Sequence, residues 1–335
     1  MTYSEAFKNG IKLVNRNLQL VAIQAGLMLI DCIGFFIIVG IPLGIAFVIF
    51  GLDLTGLKEL GRVFSTLKNP MDLLTRYFGL VVIVLISLLI YITMVTTLWL
   101  FVFAGTTGII GGAVVDPGRK FTLGGFFREA RRFFVPLMWF SLLIGLIFIA
   151  AALVMGLLSG GAAAVVSAAK SQDSTLALFL GIFSSLLLIL IGVVLVLGIF
   201  ATAVYGVAVI YFRGEGAMRS LVTAAGYLWD RPDAFWLYVL LICGYVLTSF
   251  MLMLVVYPFS LIPFFGPIIY FPSRIVSYVI QGYLGLLIMG VVFSYYDSTS
   301  CHPDDKSSSP PEDTSPFQVP GQETPPPGTD QIEQV

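Results

Sequence analysis

Asp31 is the one acidic or basic residue inside the long apolar segments of the chain, so it is the first residue to consider for chemistry. Gln24 precedes it by seven residues and falls on roughly the same face of a helix, and Gln281 is a polar residue of a distant apolar segment. An ionised carboxylate in hydrocarbon costs several kcal/mol, so we expect Asp31 to be protonated, hydrogen-bonded or exposed to a wet cavity. The pattern predicts a proton- or ligand-binding site of Gln24, Asp31 and Gln281, or a neutral aspartic acid that fixes helix packing.

Other residues that commonly carry chemistry are few and scattered. The three cysteines (Cys32, Cys243 and Cys301) are far apart, and the only histidine is His302. This pattern predicts neither a disulfide framework, nor a metal site, nor a Ser-His-Asp triad. The glycine-rich stretch GTTGIIGG (105–112) lacks the GxxxxGK[ST] pattern of a phosphate loop, so we interpret it as flexible, closely packed backbone. We therefore expect no enzymatic activity, no metal and no cofactor.

Five threonines occur in or just after the second apolar segment, at positions 93, 96, 97, 106 and 107. A threonine hydroxyl inside a membrane helix usually donates to a carbonyl oxygen of its own helix one turn earlier. We expect that arrangement here in preference to a polar lining.

The elements that must position these residues follow from composition. Of 335 residues, 58% are hydrophobic and 11% are charged, against about 25% charged in soluble domains. Mean hydropathy is +0.97. The chain is therefore expected to be an integral membrane protein, and its net charge of −1 provides no general attraction to nucleic acid. A span needs about 20 apolar residues, and the segments that qualify are 18–50, 78–104, 136–158, 175–211, 235–257 and 275–296.

These segments predict an all-α polytopic bundle of about six transmembrane helices. Segment 18–50 is overlong and contains Gly40 and Pro42, so one long span and a re-entrant hairpin are both compatible with it. Four prolines within 257–272 predict irregular backbone there. From residue 298 to 335 the chain holds nearly half of its 17 prolines and little apolar sequence, which predicts a disordered tail.

The stretch FTLGGFFREARRFFVPLMWF (121–140) predicts an amphipathic helix that runs into a span. Its apolar stripe consists of Leu123, Phe126, Phe127, Ala130, Phe133 and Phe134. Its charged face consists of Arg128, Glu129, Arg131 and Arg132. The same register recurs at 3–14 and at 218–229, each time before a span. We therefore predict a transmembrane domain, 1–297, built of three units, about 1–104, 119–211 and 216–297, each an amphipathic helix followed by two spans.

Lysines and arginines predict the orientation. With both termini in the cytoplasm, two thirds of the 18 lysines and arginines lie on the cytoplasmic side. The loop 51–77 is the main exception, since it carries four basic residues outside; it resembles an interfacial helix, and it would lie inside if 18–50 were a hairpin. We expect the basic residues next to the amphipathic helices to contact anionic lipid headgroups, namely Arg119, Lys120, Arg128, Arg131, Arg132, Lys8, Lys12 and Arg16.

The order of these segments is similar to that of a known group of proteins. The helix YSEAFKNGIKLVNRNL precedes a span interrupted at GIPLG, and GAMRSLVTAAGYLWDRPDAFWLYVLL again leads into a span. This pattern resembles a broad group of bacterial six-helix membrane proteins that includes the membrane domain of some glycerophosphodiester phosphodiesterases. The resemblance covers about 1–297 and implies fold and location in the cytoplasmic membrane. The phosphodiesterase activity of such fusions belongs to a separate soluble domain, which this sequence does not contain.

Two functional expectations follow. The first is a non-enzymatic scaffold or a protein of envelope and lipid homeostasis, with membrane lipids as partners. The second is a transporter or permease for a small solute or lipid that uses the region of Asp31. A polar cavity containing Asp31 and Gln281 favours transport, and a dry, packed bundle favours the scaffold.

Overall fold

The computed structural model describes residues 1–55, 78–119, 121–171, 173–260 and 266–301. The expected all-α bundle is confirmed, and six of the described helices are long and apolar enough to cross a membrane. The α-helices are α1 (Tyr3–Arg16), α2 (Gln19–Phe35), α3 (Ile41–Thr55), α4 (Phe78–Val115), α5 (Leu123–Lys170), α6 (Ser174–Arg213), α7 (Ala217–Asp230), α8 (Pro232–Ser260) and α9 (Gly266–Tyr296).

The first apolar segment is one continuous helical span and not a re-entrant hairpin. A π-helical segment, Phe36–Gly40, joins α2 to α3 without a turn. The N–H of Ile41 donates to the carbonyl oxygen of Phe36, five residues earlier. Pro42, which follows, has no N–H to donate. The wider hydrogen-bond register of the π segment keeps the helix continuous up to this proline. Beyond Thr55, the predicted interfacial helix of 51–77 lies outside the described residues.

The expectation of irregular backbone throughout 257–272 is wrong, because helices enter this segment from both sides. Helix α8 continues to Ser260, with Pro258 inside it, and α9 begins at Gly266. Pro267 is the second residue of α9, where a backbone N–H has no partner within the helix in any case. Residues 261–265 are not described.

The last helix continues past the predicted start of the tail. A second π-helical segment, Asp297–Cys301, follows α9 directly. The hydroxyls of Tyr227 and Thr299, 2.7 Å apart, share a hydrogen bond that joins this segment to α7. Burial raises the pKa of Tyr227 to about 12, more than the bond to Thr299 lowers it, so the phenol stays protonated at neutral pH. The remainder of the predicted tail, 302–335, lies outside the described residues.

The buried core lies at one end of the bundle. Helix α5 runs antiparallel to α4 and to α6 through short connections, so the end of α4, the start of α5 and the end of α6 meet there. The end of α9 joins them, and α1 and α7 cover them from the side. Away from this end the spans expose many large apolar side chains; Leu157 of α5, for example, is 78% exposed. Such exposure is expected of helices in lipid, where burying an apolar side chain gains little free energy.

Glycines of α4 allow this end to close. A Cβ atom placed on Gly108 would overlap the side chain of Glu129, and one on Gly111 would lie 2.5 Å from the ring of Tyr211. The predicted close packing of GTTGIIGG is therefore confirmed.

Two of the three amphipathic helices are separate elements. Asn17 ends α1, and its buried side-chain amide donates to the carbonyl oxygen of Leu13 at 2.9 Å. Arg231 separates α7 from α8. The middle amphipathic segment is instead the first part of α5, a single 48-residue helix with Pro136 inside it. The division into three repeated units stays a prediction.

The contact of α1 with α9 generates a prediction. A Cβ on Gly10 would overlap the side chain of Val291 and lie 3.1 Å from its backbone nitrogen, which cannot move aside. We expect Gly10→Ala to separate these helices and lower stability by about 1–3 kcal/mol. Gly26→Ala in α2 is the control, since no heavy atom lies within 4 Å of its Cβ position. Thermal unfolding of the two variants in detergent measures the difference; equal midpoints would contradict the close packing of α1 on α9.

Candidate functional site

Asp31 is half-buried and is hydrogen-bonded to the neighbouring helix α4. The hydroxyl of Tyr91, on α4, donates to Oδ1 of Asp31 at 2.8 Å. The ring of Tyr91 packs edge-on against Phe35, with centroids 5.3 Å apart. On α9, the hydroxyl of Tyr278 is buried without a hydrogen-bond partner among the described residues. The carboxylate is thus held between helices by a tyrosine.

The two glutamines of the predicted site lie on α2 and α9, which do pack against each other. The side-chain oxygen of Gln24 lies over Gly282, 2.7 Å from where a Cβ would be. Within the described part of the chain, no hydrogen bond joins Gln24, Asp31 and Gln281 to one another. Their shared role in proton or ligand binding stays a prediction.

A cavity of about 340 Å³ lies between α2, α4, α5, α6 and α9 and is partly open to the exterior. Most of its wall is formed by leucine, isoleucine, valine, methionine and phenylalanine side chains. The polar side chains in the wall are those of Gln24, Thr106 and Ser141, and none of the described residues that line it is charged. Neither Asp31 nor Gln281 contributes to the wall. The cavity therefore differs from the polar cavity that would favour solute transport, and equally from a dry, filled bundle.

The expected bond to the helix backbone is present for three of the five threonines and absent, among the described residues, for Thr96 and Thr106. Thr93, Thr97 and Thr107 donate to the carbonyl oxygen four residues earlier, at 2.8, 2.8 and 2.9 Å, as expected. The side chain of Thr106 is also buried, with 2% of the residue exposed, yet its hydroxyl has no hydrogen-bond partner in the part of the chain that the structure describes. An unpaired buried hydroxyl is unfavourable, and this one belongs to a residue of the cavity wall.

The charged face predicted for 121–140 is wrong at one residue. Glu129 is buried, 7% exposed, whereas Arg128, Arg131 and Arg132 are exposed as expected. Its carboxylate pairs with the guanidinium of Arg119 at 2.9 Å and lies 4.0 Å from that of Arg132. Burial of a carboxylate requires such partners, and Arg119, in the loop before α5, provides the nearer one. The buried stripe of this helix is accordingly rotated towards Glu129, and Leu123 and Phe127 are exposed.

The basic residues expected to meet lipid are mostly exposed at the core end of the bundle. Lys8, Lys12 and Arg16 on α1 are exposed, like the three arginines of α5. Arg119 is half-buried and forms a salt bridge with Glu129. Lys120 lies outside the described residues. Beside the cationic side chains, each amphipathic segment also exposes a large apolar residue: Phe7 at 43%, Phe127 at 58% and Trp229 at 89%.

Sequence reasoning missed two residues of these sites. Tyr91 carries a detectable signal, because a phenol in an apolar segment needs a hydrogen-bond partner and Asp31 is the strongest acceptor among the spans. Thr106 carries no such signal, since only its position in the assembled bundle distinguishes it from Thr107. Among the described residues, no cluster of three histidine, cysteine or acidic side chains is arranged to hold a metal ion.

The Arg119–Glu129 pair generates a prediction. Arg119→Ala leaves the buried carboxylate with only a distant cation, and because Arg119 is a third exposed we expect a loss of about 1–3 kcal/mol rather than more. Adding Glu129→Gln should restore part of that stability by removing the unpaired charge. Chemical unfolding of both single variants and the double variant measures the coupling. Arg128→Ala is the control and should lie within about 0.5 kcal/mol of the parent; additive effects of the two changes would contradict the pair.

Comparison of the chain with protein-family models, with curated proteins and with solved structures finds no match. The resemblance to bacterial six-helix membrane proteins therefore stays a prediction. Helix length, apolar surface and the placement of the core establish the broader class: the chain is an all-α, multi-pass membrane protein.

Proposed function

We propose that this chain is a non-enzymatic membrane protein of lipid homeostasis that binds one hydrocarbon chain of a membrane lipid in its central cavity. The cavity is the observation that carries the proposal. Its volume of about 340 Å³ lies within the roughly 300–1,000 Å³ typical of ligand pockets, and its largely apolar wall is also typical. Because the cavity is partly open and the spans around it are exposed to lipid, a lipid chain is the apolar molecule present in greatest supply.

The amphipathic helices support the same proposal. Each one presents a face to the protein core, an exposed apolar edge and exposed cationic side chains, which is the composition of a helix lying in the membrane interface. Phe7, Phe127 and Trp229 would enter the acyl region while the lysines and arginines meet anionic headgroups, each worth about 1 kcal/mol. In this arrangement the core end of the bundle lies at the interface between membrane and water. The proposal retains a bacterial cytoplasmic membrane and cytoplasmic termini, as the distribution of basic residues predicts.

Filling the cavity tests the proposal. Gly285 is an exposed residue of the cavity wall, and no atom lies within 4 Å of its Cβ position, so a larger side chain there has open space at the cavity to extend into. We expect Gly285→Leu to reduce photo-crosslinking of a diazirine-bearing acyl chain to the cavity helices about ten-fold, because the overlap costs about 1–3 kcal/mol. Peptide mapping of the labelled protein in nanodiscs measures this.

Gly156→Leu is the matched control. Gly156 is exposed on α5, away from the cavity, and its Cβ position is likewise free of neighbours. It should leave crosslinking at the cavity helices unchanged. Equal labelling of the cavity in both variants would exclude the cavity as the lipid site.

A second candidate, a proton-coupled permease, is favoured by the Tyr91–Asp31 hydrogen bond, since a carboxyl held in hydrocarbon is a common proton carrier. In proteoliposomes with a pH gradient, this candidate requires a proton flux that Asp31→Asn abolishes, with folding preserved because the amide still accepts from Tyr91. The lipid-binding proposal expects no flux that depends on Asp31. Tyr91→Phe, which removes the hydrogen bond and keeps the ring, serves as the matched variant.

A further inference from the structure

We infer that a second pocket, at the core end of the bundle, holds the phosphodiester group of one membrane phospholipid, with Lys12 and Arg16 as its cationic ligands. This headgroup pocket has a volume of about 270 Å³ and lies between α1, the ends of α4 and α9 and the loop after α4. Among the described residues, it shares no lining side chain with the central cavity, and its wall is more polar. The inference therefore goes beyond the proposed function and does not depend on it.

Two cationic residues line the headgroup pocket from α1. Lys12 and Arg16 are four residues apart, so they lie one turn apart on the same face of the helix. Like charges at this spacing repel each other and destabilise a helix. Arg119 in the core is paired with Glu129, but neither Lys12 nor Arg16 forms an ion pair or a hydrogen bond with another described residue. An anion in the pocket would offset the repulsion between them.

Uncharged hydrogen-bond donors lie beside the two cations. Ser294, on α9, lines the pocket and is otherwise buried, with 8% of the residue exposed. Its hydroxyl has no hydrogen-bond partner among the described residues and, unlike that of Thr106, it is not fully buried. Asn9, three residues before Lys12, adds an exposed carboxamide to the wall. Hydroxyl and carboxamide groups can both donate, and phosphate oxygens are strong acceptors. The pocket therefore offers an anion directed hydrogen bonds as well as charge.

The charge of the wall favours a singly charged phosphate. Asp297 also lines the pocket, so two cations and one carboxylate leave one positive charge in excess among the described lining side chains. A phosphodiester, which joins the headgroup to the glycerol of a phospholipid, carries one negative charge at neutral pH. A terminal phosphate group carries about 1.5 to 2, and its second charge would stay unbalanced near Asp297. The phosphodiester therefore matches the pocket better than a terminal or free phosphate does.

The volume of the pocket suits a headgroup without its acyl chains. Since a cavity of about 150 Å³ holds one benzene, 270 Å³ leaves room for about eleven non-hydrogen atoms, about the size of a glycerol phosphate. The acyl chains must then extend outside the pocket, into the bilayer.

The position of the pocket favours a lipid as the source of the phosphate. An amphipathic helix in the interface lies at the boundary between headgroups and acyl chains. Helix α1 supplies both cations of the pocket, and its exposed Phe7 would enter the acyl region. A phosphate at Lys12 and Arg16 would thus lie where phospholipid headgroups already are. A lipid bound there would connect α1 to the ends of α4 and α9, which also line the pocket.

Titration of the full chain with dihexanoyl phosphatidylglycerol, a short-chain phosphodiester, tests this inference in a neutral detergent at physiological salt. Native mass spectrometry measures the bound lipid. We expect Lys12→Gln and Arg16→Gln each to weaken binding about ten-fold, because each removes a charge-assisted hydrogen bond. Ser294→Ala should weaken it about three-fold, since it removes a neutral one. Lys8→Gln is the matched control: it removes the same charge from an exposed position of α1 outside the pocket wall, and should change the affinity less than about two-fold because salt screens it.

Three results would overturn the inference. Equal losses in Lys8→Gln, Lys12→Gln and Arg16→Gln would show a general attraction of α1 for anions and exclude a defined pocket. Displacement of the lipid by inorganic phosphate at the same concentration would assign the pocket to a free anion. Displacement by dihexanoylglycerol, which has no phosphate, would exclude recognition of the phosphate.

Asp297→Asn tests the charge of the ligand. Without the carboxylate the pocket has two positive charges in excess, so dihexanoyl phosphatidic acid, which has a terminal phosphate, should gain affinity relative to phosphatidylglycerol. An unchanged preference would contradict the match to a single charge. Gly285→Leu, in the wall of the central cavity, should leave phosphatidylglycerol binding unchanged, so a failure of this inference is distinguishable from a failure of the proposed function.

Discussion

The close approach of α5 and α6 to the glycines of α4 is the constraint on which the rest of the structure depends. Helices in lipid gain little from burying apolar side chains against one another, so their association relies on backbones that come near enough for dense packing. Gly105, Gly108, Gly111 and Gly112 admit the side chains of Phe126, Glu129, Tyr211 and Arg119 into space that any other residue would fill. The buried core lies where these glycines are, and away from them the spans expose large apolar side chains.

The same constraint governs the polar groups that the bundle encloses. Glu129 enters the core because Gly108 leaves room for its side chain and Arg119 neutralises it. Asp31 is bonded by Tyr91, and Asn17 by the end of α1. Each of these groups has at least one polar partner within the protein, as the burial of polar groups requires. Thr106 is an exception, since its buried hydroxyl has no hydrogen-bond partner among the described residues.

The sequence predicts the helices well and the sites only in part. Long apolar segments and prolines near helix starts obey local rules, so the six spans follow from residue type alone, although helix continuity through Pro42 and Pro258 does not. The burial of Glu129 could not be predicted from the pattern of 121–140, because its partner Arg119 and the opposing Gly108 come from other elements. Asp31 was identifiable as a lone acid in hydrocarbon. The cavity was not, since an empty space is a property of five helices together.

Helix α5 extends about 72 Å, more than twice the thickness of the hydrocarbon layer. Its larger apolar side chains end near Leu158, and residues 159–169, about 16 Å of helix, are serine, glycine, alanine and valine. Such small side chains differ little in free energy between water and lipid. The outer boundary of a bilayer can therefore shift along this segment at small cost, so the fold tolerates membranes of different thickness without tilting its core.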